Sequence, residues 1–163
     1  MDAAGFMLSP LHIACKRGNV QMVKKLLKSG IFKGSDVDKC ENTILHYICS
    51  RQQVDSEMVK IFCQDIETSE MIEKKNTDGC NPLHFVCENN GIQVLHCLSK
   101  HLNVEKINAA LYSTNKDGST SLHIALGSQG ISVVRYLLND PKLAHGVSEA
   151  LFIQNLYLSL IHI

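Results

Sequence analysis

Residues 10–15 read Pro10-Leu11-His12-Ile13-Ala14-Cys15, a histidine three positions before a cysteine. On a helix those two side chains share a face. Imidazole beside thiol is the raw material of a nucleophile with its base, or of half a zinc site. The pattern returns as ILHYIC at residues 44–49 and as PLHFVC at 82–87. Residues 121–126 read SLHIAL, which keeps His123 and puts Leu126 in place of the cysteine. A reactive site is rarely built several times along one short chain, whereas a structural repeat must be. The reading of these stretches therefore turns on what repeats, and why.

Aligned on the leucine before each histidine, the copies fall at Leu11, Leu45, Leu83 and Leu122, which are 34, 38 and 39 residues apart. Two positions before each leucine stands Ser9, Thr43, Asn81 or Thr120. Oxygen-bearing side chains of this kind accept from the unpaired first N–H groups of a helix. Pro10 and Pro82 follow at the first helical position, where a missing N–H costs little. Each short helix of about eight residues ends in a polar or glycine-bearing turn: KRGN, SRQQ, ENNG and GSQG. A second apolar stripe comes next. It runs through Met22, Val23, Leu26 and Leu27 in the first copy, and Met58, Val59, Phe62 and Cys63 in the second. Val94, Leu95 and Leu98 form it in the third copy, and Val133, Val134, Leu137 and Leu138 in the fourth. Pairs recurring at this spacing describe one broad helical face. Asp-Gly in NTDGCN (76–81) and NKDGST (115–120) predicts tight turns between copies. The second copy has Cys40-Glu41 there, which predicts a looser turn.

The four copies resemble the ankyrin repeat, a unit with a period of about 33 residues and the signature T-P-L-H-x-A. The resemblance runs over roughly residues 5–140 and implies an all-α solenoid of stacked helix-turn-helix units with short β-hairpin-like turns. The array is read as residues 1–142, with repeats at about 5–36, 37–74, 75–113 and 114–142. Residues 143–163 are read as a partial repeat or covering helix. The last stretch, LSLIHI, resembles translated adapter sequence and is assigned no function. Two repeats exceed the family period. The extra residues lie near RQQVDS and DIETSEMIEKK, and in NVEKINAALYST, where Val104, Ile107 and Leu111 predict an added small helix behind Asn103.

Composition agrees with an ordinary folded module. The chain has 163 residues, 45% of them hydrophobic, with 16 Lys/Arg against 16 Asp/Glu. A balanced charge gives no general attraction to nucleic acid or to anionic membrane, so neither is expected as a partner. The opening MDAAGFMLSPLH lacks the basic and apolar regions of a secretory leader. The seven cysteines form no C-x-x-C pair, and a reducing, intracellular compartment is expected, cytoplasmic or nuclear. Phosphate-loop, dinucleotide, zincin and nucleophile-elbow motifs are all missing from the sequence. No catalytic residue, metal or cofactor is expected.

The resemblance implies a protein-binding scaffold whose concave face varies without disturbing the core. Its contact positions correspond to Lys16 and Arg17, Ser50 and Arg51, Glu88 and Asn89, and Gly127 and Ser128. On the turns they correspond to Lys39, Thr77, Cys80, Lys116 and Ser119. The four motif histidines then bind the framework together, and Cys15, Cys49 and Cys87 pack between helices where the family prefers alanine. The partner is unnamed. Residues 1–51 carry eight Lys/Arg and four Asp/Glu, while residues 52–111 carry five and nine. A partner with an acidic segment over the first two repeats is therefore expected, bound by a monomer or by a piece of a larger chain. Two alternatives stay open: the recognition arm of a larger enzyme or receptor, and a thiol or metal site built on the His-x-x-Cys copies.

Overall fold

The computed structural model describes residues 8–53, 55–64, 70–128, 130–144 and 147. The segment read as a partial repeat or covering helix thus lies, beyond residue 144 and apart from Val147, outside the described residues. Part of the second repeat's insertion, at residues 65–69, lies outside them too.

Each motif opens a first helix: α1 (Pro10–Arg17), α3 (Ile44–Cys49), α5 (Pro82–Glu88) and α8 (Ser121–Gly127). Each is followed by a second helix: α2 (Val20–Lys28), α4 (Ser56–Cys63), α6 (Ile92–His101) and α9 (Ile131–Asn139). The inserted residues form α7 (Val104–Tyr112) and a 3₁₀ turn, Met71–Glu73. Helices of six to ten residues are too short to persist alone in water, so packing must hold them. First helices pack on first helices, α1 on α3, α3 on α5 and α5 on α8. Second helices pack α2 on α4, α4 on α6 and α6 on α9. The result is a two-layer stack in which each unit touches mainly its neighbours.

One continuous core fills the space between layers. Leu11, Leu45, Leu83 and Leu122 are buried, as are Cys15, Cys49 and Cys87 and their counterpart spacers Ala14, Ile48, Val86 and Ala125. From the second helices come Val23, Met58, Val59, Phe62, Val94, Leu95, Leu98, Val133, Val134 and Leu137, joined further on by Leu143 and Val147. Two residues expected in this stripe are not core. Met22 is 45% exposed and Leu138 is 49% exposed. Met22 lies on the outer side of the first repeat, where no described helix covers it. The close approach of α5 to the turn between α8 and α9 depends on Gly130, since a Cβ there would collide with the Cys87 carbonyl and with Ala125.

Fingers link the units. Val37 pairs with Thr43, and Thr114 with Thr120, as isolated antiparallel bridges. Inside each finger one side chain organises the turn. Asp38 Oδ1 accepts from the N–H of Cys40 and Asn42, Asn76 Oδ1 from Asp78 and Cys80, and Asn115 Oδ1 from Asp117 and Ser119. The second repeat's finger is not looser, contrary to the sequence expectation. Its backbone bonds, Asp38 N–H to Asn42 O at 3.1 Å and Glu41 N–H to Asp38 O at 3.0 Å, match those of the third repeat's finger. Glu41 reaches the left-handed region, φ 59°, where the other two turns use Gly79 and Gly118. Successive fingers are also bonded to each other, Thr77 N–H to Cys40 O at 2.9 Å and Lys116 N–H to Asp78 O at 3.0 Å.

The insertions are part of the stack. Helix α7 packs on the 3₁₀ turn. Asn81 Nδ2 donates to the Ala110 carbonyl at 2.7 Å, and Lys75 Nζ to Thr114 O at 2.6 Å.

Candidate functional site

The motif histidines explain themselves through their two nitrogens. Nδ1 accepts from the backbone N–H of the helix-capping residue: Thr43 to His46 at 2.9 Å, Asn81 to His84 at 3.2 Å and Thr120 to His123 at 3.0 Å. The capping hydroxyls of Ser9, Thr43 and Thr120 also lie 2.7, 2.9 and 2.7 Å from Nδ1. The other nitrogen reaches the next repeat. His46 Nε2 lies 2.9 Å from the Cys80 carbonyl, and His84 Nε2 lies 3.2 Å from the Ser119 carbonyl. A carbonyl can only accept, so Nε2 of His46 carries the proton and its Nδ1 is the acceptor, while His84 Nδ1 lies between a donor, the Asn81 N–H, and an acceptor, Asn81 Oδ1 at 2.8 Å. Both nitrogens are occupied in the neutral form.

Burial holds the rings there. It lowers the pKa of His12, His84 and His123, and it takes His46 down to about 4. The cysteines one turn away face the core instead. Burial pushes the Cys15 and Cys87 thiols up to about 12. At His84 and Cys87 an imidazole with both nitrogens engaged stands beside a thiol that is hard to ionise, a poor base with a poor nucleophile, whereas His12 Nε2 is buried without a hydrogen-bond partner among the described residues. Among the described residues no group of three or more His, Cys, Asp or Glu is placed to hold a metal ion.

The side chains that the core does not use lie along the free side of the first helices and at the fingertips. Immediately after each histidine comes Ile13, Tyr47, Phe85 or Ile124, and three residues later Lys16, Ser50, Glu88 or Gly127. An i, i+3 pair shares a helical face, so the stack turns these into two parallel rows. All eight are exposed or half-buried. At the fingertips Lys39, Thr77 and Lys116 are exposed at equivalent places.

The structure treats the sequence-derived contact positions differently from one another. Lys16 is exposed at the end of α1. Arg17 lines a shallow cleft on the outer side of the first repeat with Pro10, Ile13 and Met22. Arg51 is engaged in the framework: its Nη1 donates to the Lys16 carbonyl and its Nε to Gln53 O. That guanidinium ties the C-terminus of α1 to the following unit, a favourable place for a cation. Ser50 donates to Tyr47 O, and Asn89 Nδ2 to Phe85 O. Ser128 Oγ reaches the Cys87 carbonyl at 3.4 Å, while Gly127 beside it is exposed.

Cys80 and Ser119 are half-buried, and their carbonyls receive the histidines. Burial raises the Cys80 thiol; Asn115 opposes this through a hydrogen bond, and the charges of Asp78, Glu88 and Asp117 add to it. The Cys80 thiol is therefore harder to ionise than an ordinary cysteine. Three carboxylates, Asp78, Glu88 and Asp117, act on it electrostatically.

Sequence reasoning missed the row after the histidines. Tyr47 and Phe85 occupy the variable position of the motif, and their being aromatic in adjacent copies was the available signal. Each packs edge-on against the histidine of the preceding repeat, His12 with Tyr47 at 5.4 Å and His46 with Phe85 at 5.6 Å between ring centroids.

Stacked two-helix units, capped by threonine–histidine pairs and joined through hydrogen-bonded fingers, define a helical repeat solenoid. The family model for ankyrin repeats, in three copies, matches residues 2–71 and again residues 55–146, and the chain belongs to that family. Ankyrin repeats are generally non-enzymatic protein-interaction modules.

Curated relatives include Transient receptor potential cation channel subfamily A member 1 of Homo sapiens, 27% identical over 135 residues, which are 81% of this chain and 11% of the relative. The Nuclear factor NF-kappa-B p105 subunit of Gallus gallus is 27% identical over 148 residues, 73% of this chain and 15% of the relative. Palmitoyltransferase AKR1 of Lachancea kluyveri is 24% identical over 139 residues, 84% of this chain and 18% of the relative. The chain spans less than a fifth of the length of each of these relatives. No helix among the described residues is long and apolar enough to cross a membrane.

Proposed function

We propose that this chain is a non-enzymatic binding module that holds a partner protein against the concave face formed by its fingertips and first helices. The observation that carries the reading is the division of labour along each first helix. Leucine, histidine and cysteine of the motif are buried or hydrogen-bonded within the stack, while the residues after them and the fingertips are exposed or half-buried. Side chains that reach the surface in this way are within reach of a ligand.

The partner presents an acidic segment to the first two repeats, where Lys16 and Lys39 are exposed. Arg51 supports the scaffold beneath them. Charge complementarity of this kind speeds association and weakens with salt. The module acts as a single copy inside the cell, in the cytoplasm or nucleus, consistent with the free state of Cys15, Cys40, Cys49, Cys80, Cys87 and Cys97. It serves as the recognition arm of a larger protein, a reading supported by relatives that are a channel subunit, a nuclear factor subunit and a palmitoyltransferase, all far longer than the matched region.

The test uses a binder selected from a displayed peptide library against the full chain and measured by calorimetry. Lys39→Glu with Lys116→Glu, at two fingertips, is expected to weaken it about tenfold or more. Lys25→Glu with Lys28→Glu, on the second helix of the first repeat, is expected to leave it unchanged. The opposite pattern rejects the concave face.

A further inference from the structure

Two aromatic residues in adjacent repeats make the first-helix face uneven. Tyr47 and Phe85, with Asn42, His46 and Ser50, line an open cleft of about 130 Å³. Small-molecule sites enclose roughly 300–1,000 Å³, so this cleft suits one side chain of a larger ligand. Its walls are fixed in advance. The Phe85 ring stands at 80° to His46, the Tyr47 ring at 73° to His12, and the Tyr47 hydroxyl donates to Asp38 Oδ2 at 2.6 Å. Pre-set walls reduce the ordering cost of binding.

The charge around the cleft is negative. Burial pushes the Asp38 carboxyl up, but bonds from Tyr47, Asn42 and the Cys40 N–H outweigh it and keep the group below its ordinary value. Glu88 is exposed one turn beyond Phe85, on the same face of α5. Asp78 and Asp117 extend the field along the fingers toward the fourth repeat. Cations oppose this field: Lys74 bears on His46, Lys75 on His84, and Lys39 stands exposed beside Asp38 in sequence. An uncharged apolar anchor would gain nothing from these carboxylates. A cation gains from them and from the ring faces together.

Building on the partner-binding reading, we propose that this cleft receives one arginine of the bound protein segment, its guanidinium set against Tyr47 and Phe85 and paired with Glu88. Arginine fits better than lysine because its planar, weakly hydrated head stacks on aromatic rings and still presents donors to a carboxylate. The assignment also orients the partner. Its acidic stretch lies over the first repeat and its arginine at the junction of the second and third, matching the reversal of charge along the array.

The experiment titrates the full chain, followed by NMR, with acetylated and amidated Gly-Gly-Arg-Gly-Gly and with its citrulline twin, which has the same shape without the charge. The arginine peptide is expected to shift Tyr47, Phe85 and His46 at about millimolar concentration, and the citrulline peptide is not. Glu88→Gln should weaken the arginine response about tenfold, and Phe85→Leu should abolish it, with circular dichroism showing both variants folded. Equal responses to the two peptides, or shifts confined to other residues, overturn the site. The library-selected binder separates this failure from that of the underlying reading. A binder that needs Lys39 and Lys116 but keeps its affinity in Phe85→Leu overturns the arginine site alone. A binder sensitive only to Lys25 and Lys28 overturns both.

Discussion

Glu41 shows how a single residue can break a local rule without breaking the structure. It adopts φ 59° in a turn whose equivalents are glycines. A side chain in the left-handed region costs about 1–2 kcal/mol. Asp38 offsets that cost: besides the two backbone N–H bonds common to all three fingers, its second oxygen accepts from Asn42 Nδ2 and the Tyr47 hydroxyl. The sequence displayed the missing glycine, but the aspartate three positions earlier reads as an ordinary surface charge, so the rescue was not legible. Glu41→Gly should therefore stabilise the chain by about 1 kcal/mol, less whatever glycine adds to the freedom of the unfolded state. A thermal melt checks this, and a lower melting temperature would mean that Glu41 has a native partner worth more than the strain. Arg51 has a role that was hidden for a related reason. Its charge and position marked it as a contact residue, and its hydrogen bond to a carbonyl 35 positions earlier, Lys16, adds a framework role. A distance of that kind exists only after the repeats are stacked.

At the scale of elements, periodicity carried most of the information. Capping residues, proline positions and apolar stripes placed all four helix pairs, because the signals recur and each copy checks the others. The exceptions fall on the first and last of the described second helices, each with a described second helix on one side alone. Met22 and Leu138 have the right spacing for the core but are about half exposed, since burial depends on the adjoining unit as well as on periodicity. The insertions were legible as length and, for α7, as an apolar pattern. Their packing on each other was not, because nothing in either segment specifies the other. Leu83 tests the assigned register most directly. It is buried in α5, which packs on both α3 and α8. Leu83→Ala should cost about 2–5 kcal/mol. In an array held by nearest-neighbour contacts, the loss should appear as one cooperative shift in denaturant unfolding rather than as local fraying. An unchanged midpoint would contradict the burial of this leucine.

For the whole molecule, the histidine network makes stability depend on pH in a definite direction. Burial lowers the pKa of His12, His46, His84 and His123, with His46 at about 4. In the unfolded chain the same rings titrate near 6.5. Between pH about 6.5 and about 4 the unfolded chain therefore takes up protons that the folded array refuses, and stability falls as pH falls. His46 alone contributes on the order of 3 kcal/mol across that window, and the other three act with the same sign. The structural cause is specific. A protonated His46 or His84 can still donate from Nε2 to the next repeat, but Nδ1 of His46, His84 and His123 can no longer accept from the capping N–H of Thr43, Asn81 and Thr120. Acid thus removes the same bond from three successive repeats. Asp38 contributes in a lower window, because a carboxyl held below its ordinary value loses its stabilising effect only as pH drops through that lowered value. Denaturant unfolding at pH about 7 and about 5 should show lower stability at the acidic value, and His46→Gln should flatten the difference while lowering stability at neutral pH. Equal stability at the two pH values would mean that the rings take up protons in the fold as readily as in the unfolded chain. The claim that burial keeps these imidazoles neutral under acid would then have to be abandoned.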